Sequence, residues 1–296
     1  MLKKIIKKIL GNTLYNFFKK AYYKLKDIIS KIKAKINQII GIFLYKFISK
    51  SKVSKLILPV RKLPKDMDEN FEEIYHKCKE FTSTSIEKMF ALYKAVEYIV
   101  NSGIKGDFVE CGVWQGGSQM IVAYTLLKMD VSDRKIYLYD TFTGMAEPTS
   151  KDRSFFKSSE QIRKVWQKHQ KNEYNIWCLS MLDEVKNNMF STGYPKDNII
   201  FVNGMVEDTI PKIIPKKISL LRLDTDWYKS TYHELTHLYP LLSKGGVLLI
   251  DDYGCWMGQK DAVDQYFKEN NIKMLLNRIG DEYIIVSGGR IGIKTD

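Results

Sequence analysis

Near the start of the chain the apolar positions fall three and four apart. MLKKIIKKIL sets Leu2, Ile5, Ile6, Ile9 and Leu10 among Lys3, Lys4, Lys7 and Lys8, and Leu25, Ile28, Ile29, Ile32, Ile36, Ile39, Ile40 and Phe43 repeat the spacing. That is the period of an amphipathic helix. It returns in SIEKMFALYKAVEYIVNSG, where Ile86, Met89, Phe90, Tyr93, Val96 and Val100 share one face, with Ser85 placed as N-cap and Gly103 as the stop.

Beyond residue 103 the pattern changes to short apolar runs. Residues 108–111, 136–140, 199–202, 218–223, 247–250, 272–276 and 283–286 read as strands, and helical segments separate most of them. This alternation predicts an α/β fold with a largely parallel sheet and helices on both faces. In DFVECGVWQGGSQMIVAY a strand passes through Gly112, Gly116 and Gly117 into a periodic helix. Such a turn brings backbone amides close to a ligand at a helix start. The glycines do not spell G-x-G-x-x-G, so the dinucleotide fingerprint is only weakly matched. KIYLYDTF ends its strand on Asp140, where a second strand offers a carboxylate to ribose hydroxyls, which fits an adenosine-bearing ligand.

The chain has 296 residues and a formal charge of +13, and the charge is uneven. Eighteen of its 47 Lys and Arg residues but one of its 34 acids precede residue 66, leaving 29 basic and 33 acidic side chains in the remainder. A basic helical arm at 1–65 is thus expected ahead of a mildly acidic catalytic body at 66–296. The arm's apolar runs fall short of the roughly 20 residues that span a bilayer. Lysines interrupt every stretch that could serve as a secretory signal. An anionic membrane surface suits its alternating Ile and Lys best. Packing on a partner helix or a second copy of the chain, and nucleic-acid binding, are the competing readings. The four cysteines are dispersed and form no C-x-x-C pair, which fits a cytoplasmic protein whose arm lies on the inner face of a membrane. Cys111 reads as a small buried residue rather than a nucleophile.

The chemistry concentrates in acids. LLRLDTDWY ends one strand with Asp224 and Asp226, and GGVLLIDDYG ends the next with Asp251 and Asp252. Four carboxylates at adjacent strand ends would converge in the crevice beyond the sheet and repel one another. A hard divalent cation such as Mg²⁺ resolves that repulsion. The competing reading makes two of them caps or turn acids. HELTH, at His233–His237, matches the zinc-protease pattern H-E-x-x-H, but no histidine follows it and it reads as an ordinary connector helix. Trp227 and Tyr228 read equally as sugar-stacking or packing residues. The segment 147–174, with Phe155 and Phe156, reads equally as a lid or a surface insertion.

TSIEKMFALYKAVEYIV, DFVECGVWQGGS, YLYDTFTGMAEPT, LRLDTDWYKSTYHELTHLYPLLSKGGVLLIDDYG and AVDQYF together resemble the macrocin O-methyltransferase (TylF) family, from about Thr82 to the end. The resemblance implies a Rossmann-like class I methyltransferase with a mostly parallel seven-stranded sheet. It implies Mg²⁺-dependent transfer of a methyl group from S-adenosylmethionine to a sugar hydroxyl. Carried over by position, Glu110, Gly112, Trp114 and Ser118 would surround the donor's methionine part, with Ser85 a neighbour. Asp140, Thr141 and Phe142 would face its ribose and adenine. Asp224, Asp251 and Asp252 would hold the metal, and Asp226 would act as general base. The basic arm has no counterpart in that resemblance and points to a membrane-proximal glycan or lipid-linked saccharide as acceptor. A nucleic-acid methyltransferase is the alternative enzyme, but no N-P-P-Y-type motif follows Asp224.

Overall fold

The computed structural model describes residues 63–280 and 288–295. The expected basic arm, apart from its last three residues, lies outside them, as does the strand expected at 283–286. Helix α1 (Glu69–Cys78) starts at Asp68, whose carboxylate accepts from the Phe71 amide at 2.9 Å. Helix α2 (Ile86–Asn101) begins where the spacing predicts. Ser85 Oγ accepts from the Lys88 amide at 3.4 Å, and Gly103 beyond its end has φ +64°. Its buried face is rotated from the expected stripe. Leu92, Ala95, Ile99 and Lys88 join Met89, Tyr93 and Val96 inside, while Ile86, Phe90 and Val100 are half-buried.

There follow β1 (Asp107–Cys111), α3 (Gly117–Lys128), β2 (Ile136–Asp140), α4 (Ser159–His169), α5 (Leu182–Phe190), β3 (Ile199–Asn203), α6 (Val206–Thr209) and β4 (Ile218–Leu223). Then come α7 (Tyr228–Leu238), β5 (Leu242–Ile250), α8 (Met257–Glu269), β6 (Asn277–Ile279) and β7 (Gly289–Ile293). The strands form one sheet in the order β3-β2-β1-β4-β5-β7-β6. β1 to β5 are parallel, and β7 runs antiparallel to both β5 and β6.

The central strands read as continuous apolar runs because helices cover both faces. On β4, Leu221 and Leu223 enter a core with Leu235 and Leu238 of α7 and Val263 and Tyr266 of α8. Burial of each such side chain contributes about 1.5–3 kcal/mol. Arg222 faces the other way, beside Glu110, with which it is in register on β1. Register also sets the functional edge. Leu223 pairs with Cys111 and with Ile250, so Gly112, Asp224 and Asp251 stand level at the carboxyl ends of three adjacent strands.

One expectation about the last strands fails and one strand is missed. Residues 272–276 form no ladder, although Ile272, Met274 and Leu276 pack on the core in alternation. β7 pairs with the chain only from Asn277 onward, so the alternating segment has no neighbour to bond. The sequence pattern misses β7 because Gly289 and Gly292 interrupt it. β5 also starts earlier than residue 247, at Leu242. Among the described residues, no helix is long and apolar enough to cross a membrane.

Candidate active site

The loop from β1 to α3 is built for close approach. Gly112 has φ +82°, and a Cβ there would overlap the Asp224 carbonyl; Gly116 has φ +87° and begins α3 without a side-chain cap. Asp140, at the tip of β2, holds this loop. One of its oxygens accepts from the Val113 and Trp114 amides at 2.8 and 3.2 Å, and the other from the Phe142 amide at 2.9 Å and the Thr141 hydroxyl at 3.4 Å. Both oxygens are therefore committed to the protein. Burial raises the Asp140 pKa, and the backbone amides oppose that rise. Gly112→Ala is expected to lower stability by about 1–3 kcal/mol from backbone strain alone and to abolish donor binding. Calorimetric melting together with titration of S-adenosylhomocysteine checks both.

A cavity of about 290 Å³ opens at this edge. Of the residues singled out from the sequence, Gly112, Trp114, Ser118, Asp140, Thr141, Asp224, Asp226, Asp251 and Asp252 line it. Ser85, Glu110 and Phe142 do not. Ser85 is spent on capping α2, Glu110 on Arg222, and Phe142 is buried with only 3% exposure.

The four aspartates divide unequally. Carboxylate oxygens of Asp224, Asp226 and Asp252 lie within 4.8 Å of one another. Asp251 pairs with two cations. Its Oδ1 accepts from Arg222 Nη2 at 2.6 Å and its Oδ2 from Lys88 Nζ at 2.8 Å. Arg222 also pairs with Glu110 and, at 2.9 Å, with Asp224, while Lys88 reaches Asp252 at 3.4 Å. All four thus line the crevice expected from the sequence, with three acids close together and Asp251 paired to the two cations. Neither cation was singled out in the sequence, where a Lys and an Arg inside apolar runs give no sign of their partners.

Charge and burial set the protonation of this group. Burial alone would raise Asp251, but Arg222 and Lys88 hold it below the usual carboxylate range. Burial and the Asp252 and Asp224 charges push Asp226 well above that range. Asp226 also has φ +68°, a conformation uncommon outside glycine that Asp tolerates better than most residues. Five carboxylates here, Glu110 included, face two cationic side chains. Burial and mutual repulsion raise Asp224, Asp226 and Asp252 together, and a hard divalent cation would relieve that repulsion with the all-oxygen donor set these carboxylates offer.

Among the described residues, HELTH joins no cluster of metal-ligating side chains. His233 Nε2 lies 3.0 Å from the Ile210 carbonyl oxygen, and fully buried Glu234 accepts at 2.9 Å from Thr225, the residue between Asp224 and Asp226. Glu234 therefore braces the acidic loop. Burial pushes its carboxyl up to about 8, against the Thr225 bond and with help from Glu207 and Asp224. The folded protein then keeps a proton that the unfolded chain releases near the ordinary value of 4.5. Stability from this group is full below that value and is lost as pH rises through about 8. Glu234→Gln is expected to melt with the parent near pH 5 and above it near pH 9. A difference in Tm that does not grow with pH would contradict this. Cys111 is fully buried and its thiol is pushed far up by burial, which removes it as a nucleophile.

The strand order, the antiparallel β7 and the glycine loop opposite Asp140 define a class I S-adenosylmethionine-dependent methyltransferase. The chain belongs to the macrocin-O-methyltransferase (TylF) family, whose sequence model matches residues 51–285. It is 32% identical over 191 residues to mycinamicin III 3''-O-methyltransferase of Micromonospora griseorubida, covering 64% of this chain and 72% of that one. Over 185 residues it is 31% identical to demethyldecarbamoylnovobiocin O-methyltransferase of Streptomyces niveus, covering 62% and 67%. The solved O-methyltransferase NovP matches with a TM-score of 0.62 at 27% identity, over 73% of this chain and 83% of NovP. The calicheamicin methyltransferase CalS11, with a TM-score of 0.52 at 15% identity over 80% and 95%, shares the fold. This protein is an S-adenosylmethionine-dependent O-methyltransferase.

Proposed function

We propose that the enzyme methylates a sugar hydroxyl on a glycan or glycosylated metabolite, with Mg²⁺ held at the acidic edge. The observation that carries this reading is the trio Asp224, Asp226 and Asp252 on the wall of the cavity that the donor loop also lines. The curated relative from Micromonospora is named for methylating mycinamicin III, and a third relative, from Streptomyces olivaceus and 31% identical over 185 residues, for a dimethoxyrhamnosyl tetracenomycin.

Mg²⁺ usually takes one or two carboxylates and fills its other positions with water or substrate oxygens. Asp224 and Asp252 are assigned to it. Bound there, it supplies positive charge that orients neighbouring sugar oxygens and offsets developing alkoxide charge. A cation at Asp224 and Asp252 would offset the burial and like-charge repulsion that raise Asp226 and favour its ionised form, leaving it to take the hydroxyl proton from a position within 4.8 Å of both. Asp251, assigned to the metal by the family resemblance, instead fixes Arg222 and Lys88, which keep Asp224 and Asp252 in place. The Gly112 loop, held by Asp140, orients the donor. Transfer is a direct displacement at the sulfonium, and positioning of donor methyl and acceptor oxygen lowers most of the barrier.

The test is methyl transfer from S-adenosylmethionine to a panel of glycosides, with Mg²⁺ and with a chelator. Transfer to a glycoside that stops with chelator and resumes with Mg²⁺ supports the reading, and transfer indifferent to chelator removes the metal from it. We also propose that residues 1–65 form an arm that binds an anionic membrane surface, and that the acceptor lies close to that surface. Flotation of the full chain with anionic liposomes, weakened by salt, is the expected outcome. Equal flotation with neutral liposomes would overturn it.

A further inference from the structure

Four of the five tryptophans, Trp114, Trp177, Trp227 and Trp256, line the same cavity. Trp114 belongs to the donor loop. The other three arrive from separate connections: Trp177 between α4 and α5, Trp227 between β4 and α7, and Trp256 between β5 and α8. Trp227 meets both others edge to face, and Trp177 and Trp256 are tilted to each other. Trp227 and Trp256 have ring centroids 5.0 Å apart at 82°, Trp177 and Trp227 lie 6.0 Å apart at 74°, and Trp177 and Trp256 lie 6.1 Å apart at 54°. Core packing alone gives no reason for such indoles to gather where carboxylates also gather.

Each ring is tied to a part of the site. Trp227 follows Asp226 directly, is 4% exposed, and donates from its indole nitrogen to the Ala146 carbonyl at 2.9 Å. It forms a fixed backing. Trp256 is half-buried, its amide donates to the Asp252 carbonyl at 2.9 Å, and its backbone bridges Ser154. Trp177 is half-buried, its amide donates to Asn175 Oδ1 at 2.9 Å, and its carbonyl accepts from Met145 at 3.0 Å. A rigid apolar wall thus joins the Thr141–Met145 side of the cavity to the Asp226 and Asp252 side.

We propose that Trp177 and Trp256, backed by Trp227, form the acceptor platform: they receive the C–H face of a pyranose ring and so direct one of its hydroxyls toward Asp226. This rests on the sugar reading above. A pyranose has an apolar face of axial C–H groups that matches an indole surface, and its hydroxyls lie at the rim, where the acids are. Indole rings supply large contact area with little entropy to lose on binding. The acids select polar rim groups and the tryptophans select the face presented.

The test is saturation-transfer-difference NMR on the full chain with S-adenosylhomocysteine and Mg²⁺, irradiating aromatic protons. The probes are methyl glycosides of several hexoses, with catechol as an aromatic comparison. Trp177→Ala and Trp256→Ala change half-buried side chains, and Trp177→Phe and Trp256→Phe retain a ring should either truncation fail to fold. The expected result is transfer confined to ring C–H protons of one face, binding about tenfold weaker in each Ala variant, and partial retention in the Phe variants. S-Adenosylhomocysteine affinity should stay unchanged throughout. Glycoside binding equal in parent, Ala and Phe variants overturns the platform and leaves the sugar reading standing. No glycoside signal in the parent, with or without catechol binding, overturns both.

Discussion

Asp226→Asn is expected to lower kcat by about a thousandfold while leaving S-adenosylhomocysteine affinity close to that of the parent and Tm no lower. The amide keeps the size of the carboxyl but cannot take a proton from an alcohol. Loss of a positioned general base typically costs 10² to 10⁴ in rate, about 3–5 kcal/mol of barrier. Asp252→Asn separates base from ligand. It is expected to lose as much activity and also to lose Mg²⁺ affinity in calorimetry, whereas Asp226→Asn keeps that affinity. Equal loss of metal binding in both would make Asp226 a ligand and leave the proton without its assigned acceptor.

Arg222→Met is expected to be the most destabilising single change in the body. The guanidinium is 3% exposed and joins Glu110, Asp224 and Asp251, with Lys88 completing the set from α2. Removing it strands buried carboxylates, a loss of about 3–5 kcal/mol. In a domain of 150–250 residues each kcal/mol moves Tm by about 2–4 °C, so a fall of about 6–20 °C follows. Combining it with Glu110→Gln is expected to recover part of the fall, because the stranded charge beside β4 is gone. Lys88→Met should destabilise less, since Arg222 still holds Asp251. Thermal melts of the three variants check this order, and a single Arg222 variant that melts with the parent would show that the network contributes nothing to the fold.

Local signals account for the parts of this molecule that can be read from residues alone. β1 to β4 stand out because strands covered on both faces are mostly apolar, and α2 because Ser85 and Gly103 mark its ends. The aspartates stand out because they end such runs. What stays hidden depends on register and packing. Lys88 lies in a helix whose Glu87 and Lys94 look equally solvated, and only the seating of α2 on the sheet turns it inward. Arg222 meets Glu110 because the two are paired across β1 and β4. Glu234 sits in a sequence that imitates a zinc site, yet its bond to Thr225 shows a brace for the acidic loop. Trp177 lies in a segment without periodicity, and its place beside Trp227 and Trp256 arises from folding alone.

The most direct measurement is an anomalous-difference map from a crystal grown with S-adenosylhomocysteine and Mn²⁺ in place of Mg²⁺. The expected map holds a peak bounded by Asp224 and Asp252, with Asp226 beside it and Asp251 still on Lys88 and Arg222. A map flat at that edge under saturating manganese, with the donor product in place, would contradict the account.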